Sequence, residues 1–218
     1  RALGAIGHFG AFSFHGTKNL TCGEGGALAI ADARLVEHVE IMREKGTDRA
    51  RFLRGEVDRY TWVDEGSSWV LAEPLAALLL AQLDAADHVQ AARRAVWQRY
   101  ASELAPWAAE VGALLPPIPE VAEPAWHCSW VLVPRMEDRD AFMDHLAAAG
   151  VASAFHFQPL HRSAMGRRLA AASGSAVPAL PVTDSVAERL VRLPFFTDLT
   201  EDEQTRVIEA ATAWRPGR

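Results

Sequence analysis

The chain has 218 residues, 50% of them apolar, and its 22 Lys+Arg against 28 Asp+Glu leave a formal net charge of −6. A length of this order buries a sizeable core as one domain or two small ones, and the composition excludes a disordered or collagen-like chain. The acidic balance argues against a nucleic-acid partner, whose backbone demands a surplus of Lys and Arg.

From Ala5 to Phe14 small and aromatic residues are punctuated by glycine, and Phe12 and Phe14 alternate around Ser13, which predicts a short buried strand. The run from His15 to Gly26 cannot continue it, because Gly23, Gly25 and Gly26 supply turns that a strand does not tolerate. Ala27 to Ala31 predicts a second strand, so a polar loop joins two strands of one sheet. Asp32 is placed to cap a helix with Leu35, Val39 and Met42 on one face, ended by Lys45 and Gly46. Thr47 to Ser68 is charged and aperiodic, which predicts a long loop of the kind kept for function. Pro74 opens an Ala/Leu-rich helical region, with Leu75, Leu79, Leu83 and Ala86 on one face, reaching about Trp107 and stopped by Pro116, Pro117 and Pro119.

After the prolines, Trp126 to Val133 predicts a strand, Asp138 to Ala149 a helix stopped by Gly150, and Val151 to Phe157 another strand. Ser185 with Glu188 and Thr200 with Glu203 have capping-box spacing, the second leading into Val207, Ile208 and Ala211 as a C-terminal helix. A boundary is therefore expected between about Leu114 and Pro124. Residues 1–115 are the end of a larger α/β domain, and residues 116–218 a small α+β domain.

Cys22 and Cys128 lie far apart without metal-ligand or CxxC spacing, so neither a disulfide framework nor a zinc site follows, and a reducing cytoplasm is the expected location. The longest apolar-leaning stretch, Pro74 to Ala86, is interrupted by Gln82 and Asp84, and the N-terminus lacks the layout of a signal peptide, so no membrane partner is expected. The first residue is Arg1 rather than Met, and the chain is expected to begin inside a longer polypeptide.

Lys18 is the candidate catalytic residue. In a glycine-rich turn after an apolar strand, an amine held partly out of water shifts toward its neutral, nucleophilic form and can make a Schiff base with a carbonyl. A phosphate-gripping P-loop lysine needs GxxxxGK followed by Ser or Thr, whereas Lys18 lies between Thr17 and Asn19, so that motif fails on spacing. Composition alone favours an ordinary surface lysine, and the spacing leaves that alternative open. Between positions 43 and 59, Arg43, Lys45, Arg49, Arg51, Arg54 and Arg59 outnumber Glu44, Asp48, Glu56 and Asp58, which suits either a diphosphate or a solvated loop. His127, His156 and His161 are candidates to reach a site or to be satisfied, half-buried strand residues. No metal site is expected.

Ser13-Phe14-His15-Gly16-Thr17-Lys18-Asn19 followed by Gly23-Glu24-Gly25-Gly26 resembles the cofactor-lysine segment of the DegT-type sugar-nucleotide aminotransferases, pyridoxal-phosphate enzymes of fold type I. The resemblance continues through Arg43-Glu44-Lys45-Gly46-Thr47, Arg54-Gly55, Val57-Asp58, Tyr60-Thr61-Trp62 and Gly66-Ser67-Ser68, a set similar to the subgroup making dTDP-4-amino-4,6-dideoxygalactose. Ala125-Trp126-His127, Phe155-His156-Phe157, Pro159-Leu160-His161 and Leu193-Pro194-Phe195-Phe196 are similar to the family's later landmarks.

The resemblance implies the end of a fold-type I large domain followed by a small α+β domain, with pyridoxal 5'-phosphate as cofactor. It implies transfer of an amino group, from glutamate, to the 4-keto carbon of a dTDP-6-deoxyhexose. Lys18 then holds the cofactor covalently and moves the proton during transfer. Ser13 is carried over as a phosphate ligand, and Ser68 stands where many relatives place an asparagine that reaches the neighbouring subunit's phosphate site, which implies a homodimer. Arg54, Tyr60, His156 and His161 are carried over as substrate-binding residues. In the family a carboxylate for the pyridine nitrogen, a stacking aromatic and a phosphate-binding helix N-terminus precede the lysine, yet no Asp or Glu precedes Lys18. Three alternatives stay open: the later portion of a longer enzyme, a non-catalytic sugar-nucleotide-binding or dimerisation remnant, and, within the family, a 3-keto sugar aminotransferase.

Overall fold

The computed structural model describes residues 2–118 and 120–217. Arg1 and Pro119, the latter among the prolines expected to stop the long helix, lie outside the described residues. The chain forms two compact units, Arg1–Asp87 and His88–Arg218.

In the first unit β1 (Phe9–Ser13) and β2 (Gly26–Ile30) pair antiparallel, with Phe9 opposite Ile30 and Ser13 opposite Gly26. The expected strand is there but not its burial: of the residues in β1 and β2, only Gly10 is buried. Gly10 is closely covered, because a Cβ there would lie 1.8 Å from the carbonyl oxygen of Gly4. Asp32 accepts the Arg34 N–H at 3.0 Å, which caps a single 3-10 turn, and the α-helix proper is α1 (Val36–Arg43). Lys45 and Gly46 then turn the chain left-handed, with φ of 65° and 76°. The charged loop is not wholly irregular, since it contains α2 (Arg49–Leu53). Next, α3 (Glu73–Asp84) starts with Pro74 in its first turn, where the missing N–H costs nothing, and has no buried residue.

The single long helix predicted from Pro74 to Trp107 is two helices. Ala85 leaves helical geometry (φ −91°, ψ 5°), and α4 (Ala86–Val111) follows. Pro106 removes one backbone hydrogen bond inside α4, yet the helix continues because Leu104, Trp107, Ala108 and Val111 are buried on one face. The same face explains why the units divide near Asp87 rather than at the proline run: Val96, Tyr100, Leu104 and Trp107 belong to the core of the second unit.

That unit continues with β3 (Trp130–Leu132), α5 (Met136–Ala148), β4 (Ala154–Phe155), α6 (Ala164–Ala172), α7 (Pro181–Arg189), β5 (Leu190–Arg192) and α8 (Glu201–Ala213). The sheet order is β3-β5-β4, with β5 central and antiparallel to both neighbours. Val131, Val133 and Val191 pack with Tyr100, Leu104, Phe142, Leu146, Val207 and Ile208. Each such side chain contributes about 1.5–3 kcal/mol on burial. Trp107 stacks on Phe142 at 5.7 Å and donates its indole N–H to the Trp214 carbonyl at 3.0 Å. The Tyr100 hydroxyl donates to the Pro194 carbonyl at 3.0 Å, and burial holds the phenol well above its ordinary pKa.

Thr200 and Glu203 form the expected capping box at the start of α8. The one expected at Ser185 is not formed. Pro181 starts α7 earlier, so Ser185 lies inside the helix. No helix among the described residues is long and apolar enough to cross a membrane.

Candidate active site

The loop between β1 and β2 is closed by backbone bonds that its glycines permit. Phe14 N–H donates to the Gly25 carbonyl (2.8 Å), Gly16 N–H to Gly23 (2.7 Å), Cys22 N–H to Phe14 (3.0 Å) and Lys18 N–H to His15 (2.9 Å). Cys22 is fully buried, and a Cβ on Gly25 would lie 2.4 Å from its Sγ and 3.3 Å from Leu71 Cδ1. Only glycine at 25 lets that side chain sit inside the turn. The His15 ring braces the tip: Nδ1 accepts the Thr17 N–H at 3.2 Å, and Nε2 lies 3.4 Å from the Glu24 carboxylate.

Lys18 therefore occupies a fixed backbone position at the tip of a hairpin. Its side chain is exposed, in contrast to the partial withdrawal from water expected from the sequence, because the sheet behind it buries only Gly10. Among the described residues no carboxylate pairs with its ammonium. Ser13 Oγ accepts the His15 N–H at a long 3.4 Å, a strand-end serine bonding its own backbone that still has capacity for a ligand. The hairpin thus offers an amine for addition to a carbonyl with hydroxyl groups in the same turn.

The charged loop is knotted by polar groups. Asp48 is buried and accepts the Thr61 N–H at 2.6 Å, while buried Glu44 lies 3.5 Å from Arg49 and 3.7 Å from Arg43. Backbone bridges join Glu44 to Ser68 and Thr47 to Trp62. Ser68 is exposed, and Tyr60 meets Phe52 edge-on at 5.7 Å. Arg54 is held by Glu56 at 2.7 Å and Glu40 at 2.8 Å, and these hydrogen-bonded carboxylates raise its pKa. Arg51 is shared by Glu37 and Glu56. The positive excess read from the sequence is thus largely consumed inside the loop.

His156 and His161 belong to the second unit. Crowding by neighbours, then the Arg192 charge, holds the His156 pKa below its ordinary value. Its ring, 5.2 Å from that of Phe157, lines an apolar groove of about 340 Å³ with Pro159, Val182 and Leu190. His161 is nearly buried and its Nε2 lies 3.0 Å from Asp184, which Arg162 also approaches at 2.9 Å. The Asp184 Oδ1 nearest that ring is buried and has no hydrogen-bond partner among the described residues. Lys18, Ser13, Arg54, Tyr60 and Ser68 share the first unit, and the two histidines the second.

Sequence reasoning passed over Arg93. Its guanidinium is buried, donates to the carbonyls of Trp126 (2.9 Å) and His127 (2.7 Å), and lies 4.8 Å from the centre of the Phe195 ring. Burial lowers its pKa. It fixes the turn at Trp126, whose φ is 50°. Nothing in the sequence distinguishes it from Arg94 beside it.

Residues 1–212 match the DegT/DnrJ/EryC1/StrS aminotransferase family. Among solved structures, the chain is similar to the sugar aminotransferase CalS13 from Micromonospora echinospora (29% identity, TM-score 0.80, covering 97% of this chain and 54% of that one). DesV from S. venezuelae, solved in complex with a ketimine intermediate, gives 30% identity and a TM-score of 0.79 over 96% of this chain and 52% of that one. The PLP-form of Spr1654 from Streptococcus pneumoniae gives 25% and 0.79 over 96% and 52%. The chain thus spans about half the length of the solved chains it matches. Its fold is the end of a fold-type I large domain followed by a small α+β domain. By the match over residues 1–212, this chain belongs to the DegT/DnrJ/EryC1/StrS aminotransferase family.

Proposed function

We propose that this chain carries the lysine of a pyridoxal-phosphate-dependent sugar-nucleotide aminotransferase. It moves an amino group from glutamate to the 4-keto carbon of a dTDP-4-dehydro-6-deoxyhexose, giving dTDP-4-amino-4,6-dideoxygalactose. The observation that carries this reading is the place of Lys18 at the tip of a hairpin closed by backbone hydrogen bonds, inside the segment that matches the family. Family membership over residues 1–212 supports it, as does the motif from Arg43 to Ser68.

Pyridoxal phosphate suits the hairpin's donor set: an amine for the aldehyde and the Ser13 hydroxyl for the phosphate. When bound, the cofactor supplies an electron sink for the charge left on the substrate carbon. Lys18 Nζ would hold the cofactor's aldehyde, and the same amine would serve as the group that takes and returns the substrate proton. His15 and Thr17 keep the lysine at a fixed place on the turn. Ser68 lies beside the knot at Glu44, and Tyr60 offers a hydroxyl on an exposed ring. Arg54 meets a diphosphate only by leaving Glu40 or Glu56. Of the histidines, His156 is the better placed for substrate, since it lines the apolar groove whereas His161 is nearly buried beside Asp184. The chain assembles as a homodimer in which the loop between Tyr60 and Trp69, with exposed Trp62 and Trp69, faces the partner's active site.

The chain's lysines are Lys18 and Lys45 alone, which makes the test sharp. Incubation of the chain with pyridoxal phosphate, borohydride reduction and peptide mapping is expected to place the pyridoxyl group on Lys18. Lys18→Ala should remove the label and leave the urea midpoint unchanged, since an exposed loop lysine supports little of the core. Label on Lys45, or none, refutes the reading.

A further inference from the structure

We propose that Lys45 is a second functional lysine, binding the phosphate groups of a nucleoside diphosphate. This rests on the sugar-nucleotide reading above and adds the residue that meets the anion.

Lys45 follows the last turn of α1, at the position where a helix reverses into left-handed backbone and glycine is the relaxed choice. Here φ is 65° at a residue with a side chain. The turn is firmly fixed: Lys45 N–H donates to the Ser67 carbonyl (3.1 Å) and Gly46 N–H to the Ile41 carbonyl (2.9 Å). Gly46 and Gly66 press together behind it, so that a Cβ on Gly46 would lie 1.8 Å from the Asp64 carbonyl oxygen and one on Gly66 2.2 Å from the Gly46 nitrogen. Strained backbone of this kind is retained where the side chain it presents has work to do.

The charges narrow the choice to two residues. Arg43, Arg49, Arg51 and Arg54 each have a carboxylate partner, at 3.7, 3.5, 3.4 and 2.7 Å for the nearest. Among the described residues Lys45 and Arg59 have none, and both are exposed; of the two, only Lys45 sits on the fixed left-handed turn. A lysine ammonium is a compact point charge suited to phosphate oxygens. Beside the same turn stands an exposed aromatic: the Trp62 indole is 75% exposed, and its Nε1 lies 2.9 Å from where a Gly46 Cβ would be. Free charge next to an open π-face is the pairing that a nucleotide's phosphates and base call for.

The test uses the whole chain without cofactor and dTDP as the probe. Acetylation of Lys18 and Lys45, mapped by mass spectrometry, should slow at Lys45 when dTDP is present. Lys45→Gly should weaken dTDP binding roughly tenfold. Because the substitution relieves the left-handed strain, its thermal midpoint should stay level or rise by about 2 °C. Lys45→Arg should recover most of the affinity. Unchanged dTDP affinity in Lys45→Gly, no protection of Lys45, or a lowered midpoint in Lys45→Gly would each overturn the proposal. Pyridoxyl labelling of Lys18 is read separately, so failure here leaves that result standing, and its failure leaves this one.

Discussion

Among the described residues up to Asp87 the buried ones are Gly10, Cys22, Glu44, Gly46 and Asp48, whereas those from His88 onward include Tyr100, Leu104, Trp107, Phe142, Leu146 and Val191. Among these residues the first unit buries one cysteine, two acids and two glycines, and the second buries large apolar side chains. In the first, geometry is set by backbone hydrogen bonds and close glycine contacts at the Lys18 hairpin and the Glu44 knot. Each such bond contributes about 1 kcal/mol. In the second, stability comes from area removed from water at about 25 cal/mol per Å². The lesson is that the Lys18 hairpin and the charged loop are shaped by local hydrogen bonds, among described residues that bury few apolar side chains, whereas the second unit is held by its packed core.

The strongest way to break this contrast is a paired truncation. Phe142→Ala, at a fully buried position, should cost about 3–5 kcal/mol in urea unfolding followed through the second unit. Leu80→Ala, on a helix without a buried residue and itself 61% exposed, should cost within about 0.5 kcal/mol. Comparable costs would mean that the apolar side chains of the first unit are packed after all. A smaller effect is expected from Thr200→Ala, which removes the α8 capping box and should lower stability by about 1 kcal/mol, read as a drop in thermal midpoint.

The smallest concerns acid. Asp138 is hydrogen-bonded by Arg135 at 2.7 and 2.9 Å, and that contact holds its carboxyl below the ordinary pKa. A depressed folded-state pKa contributes stability that is present above the unfolded carboxylate value and lost as pH falls through the folded one. Asp138→Asn should therefore flatten the acid limb of the stability profile between those two values and leave its shape at neutral pH unchanged. An unaltered acid limb would remove the pair from the account of this unit.

What the sequence made legible follows from the range of the forces involved. The β1–β2 hairpin and the box at Thr200 are local, written in glycine spacing and in a capping pair, and they formed as expected. The central strand β5 was not legible, because Leu190–Arg192 is too short to show a period and becomes a strand only by lying between β3 and β4. The α6 helix is short and, although Met165 and Leu169 fall on one face, both are exposed; its start is marked by the Ser163 side chain accepting the Gly166 N–H. Lys18 was singled out by its motif, whereas its exposure was not visible in the sequence. The charge excess around Arg54 was visible, whereas its neutralisation depended on Glu40, fourteen residues away in the chain and read only as part of a helix.

The distribution of indoles gives the molecule a built-in optical division. Trp107 and Trp214 are buried, 6.5 Å apart at their ring centres, while Trp62 and Trp69 are 75% and 71% exposed. Light absorbed by the first pair is emitted from a rigid, dry surrounding at shorter wavelength and beyond the reach of aqueous quenchers. The second pair emits to the red and is quenched by iodide. A single emission spectrum, resolved by quenching, therefore follows the loosening of the lysine-bearing unit and the melting of the packed one as separate colours, with no label attached.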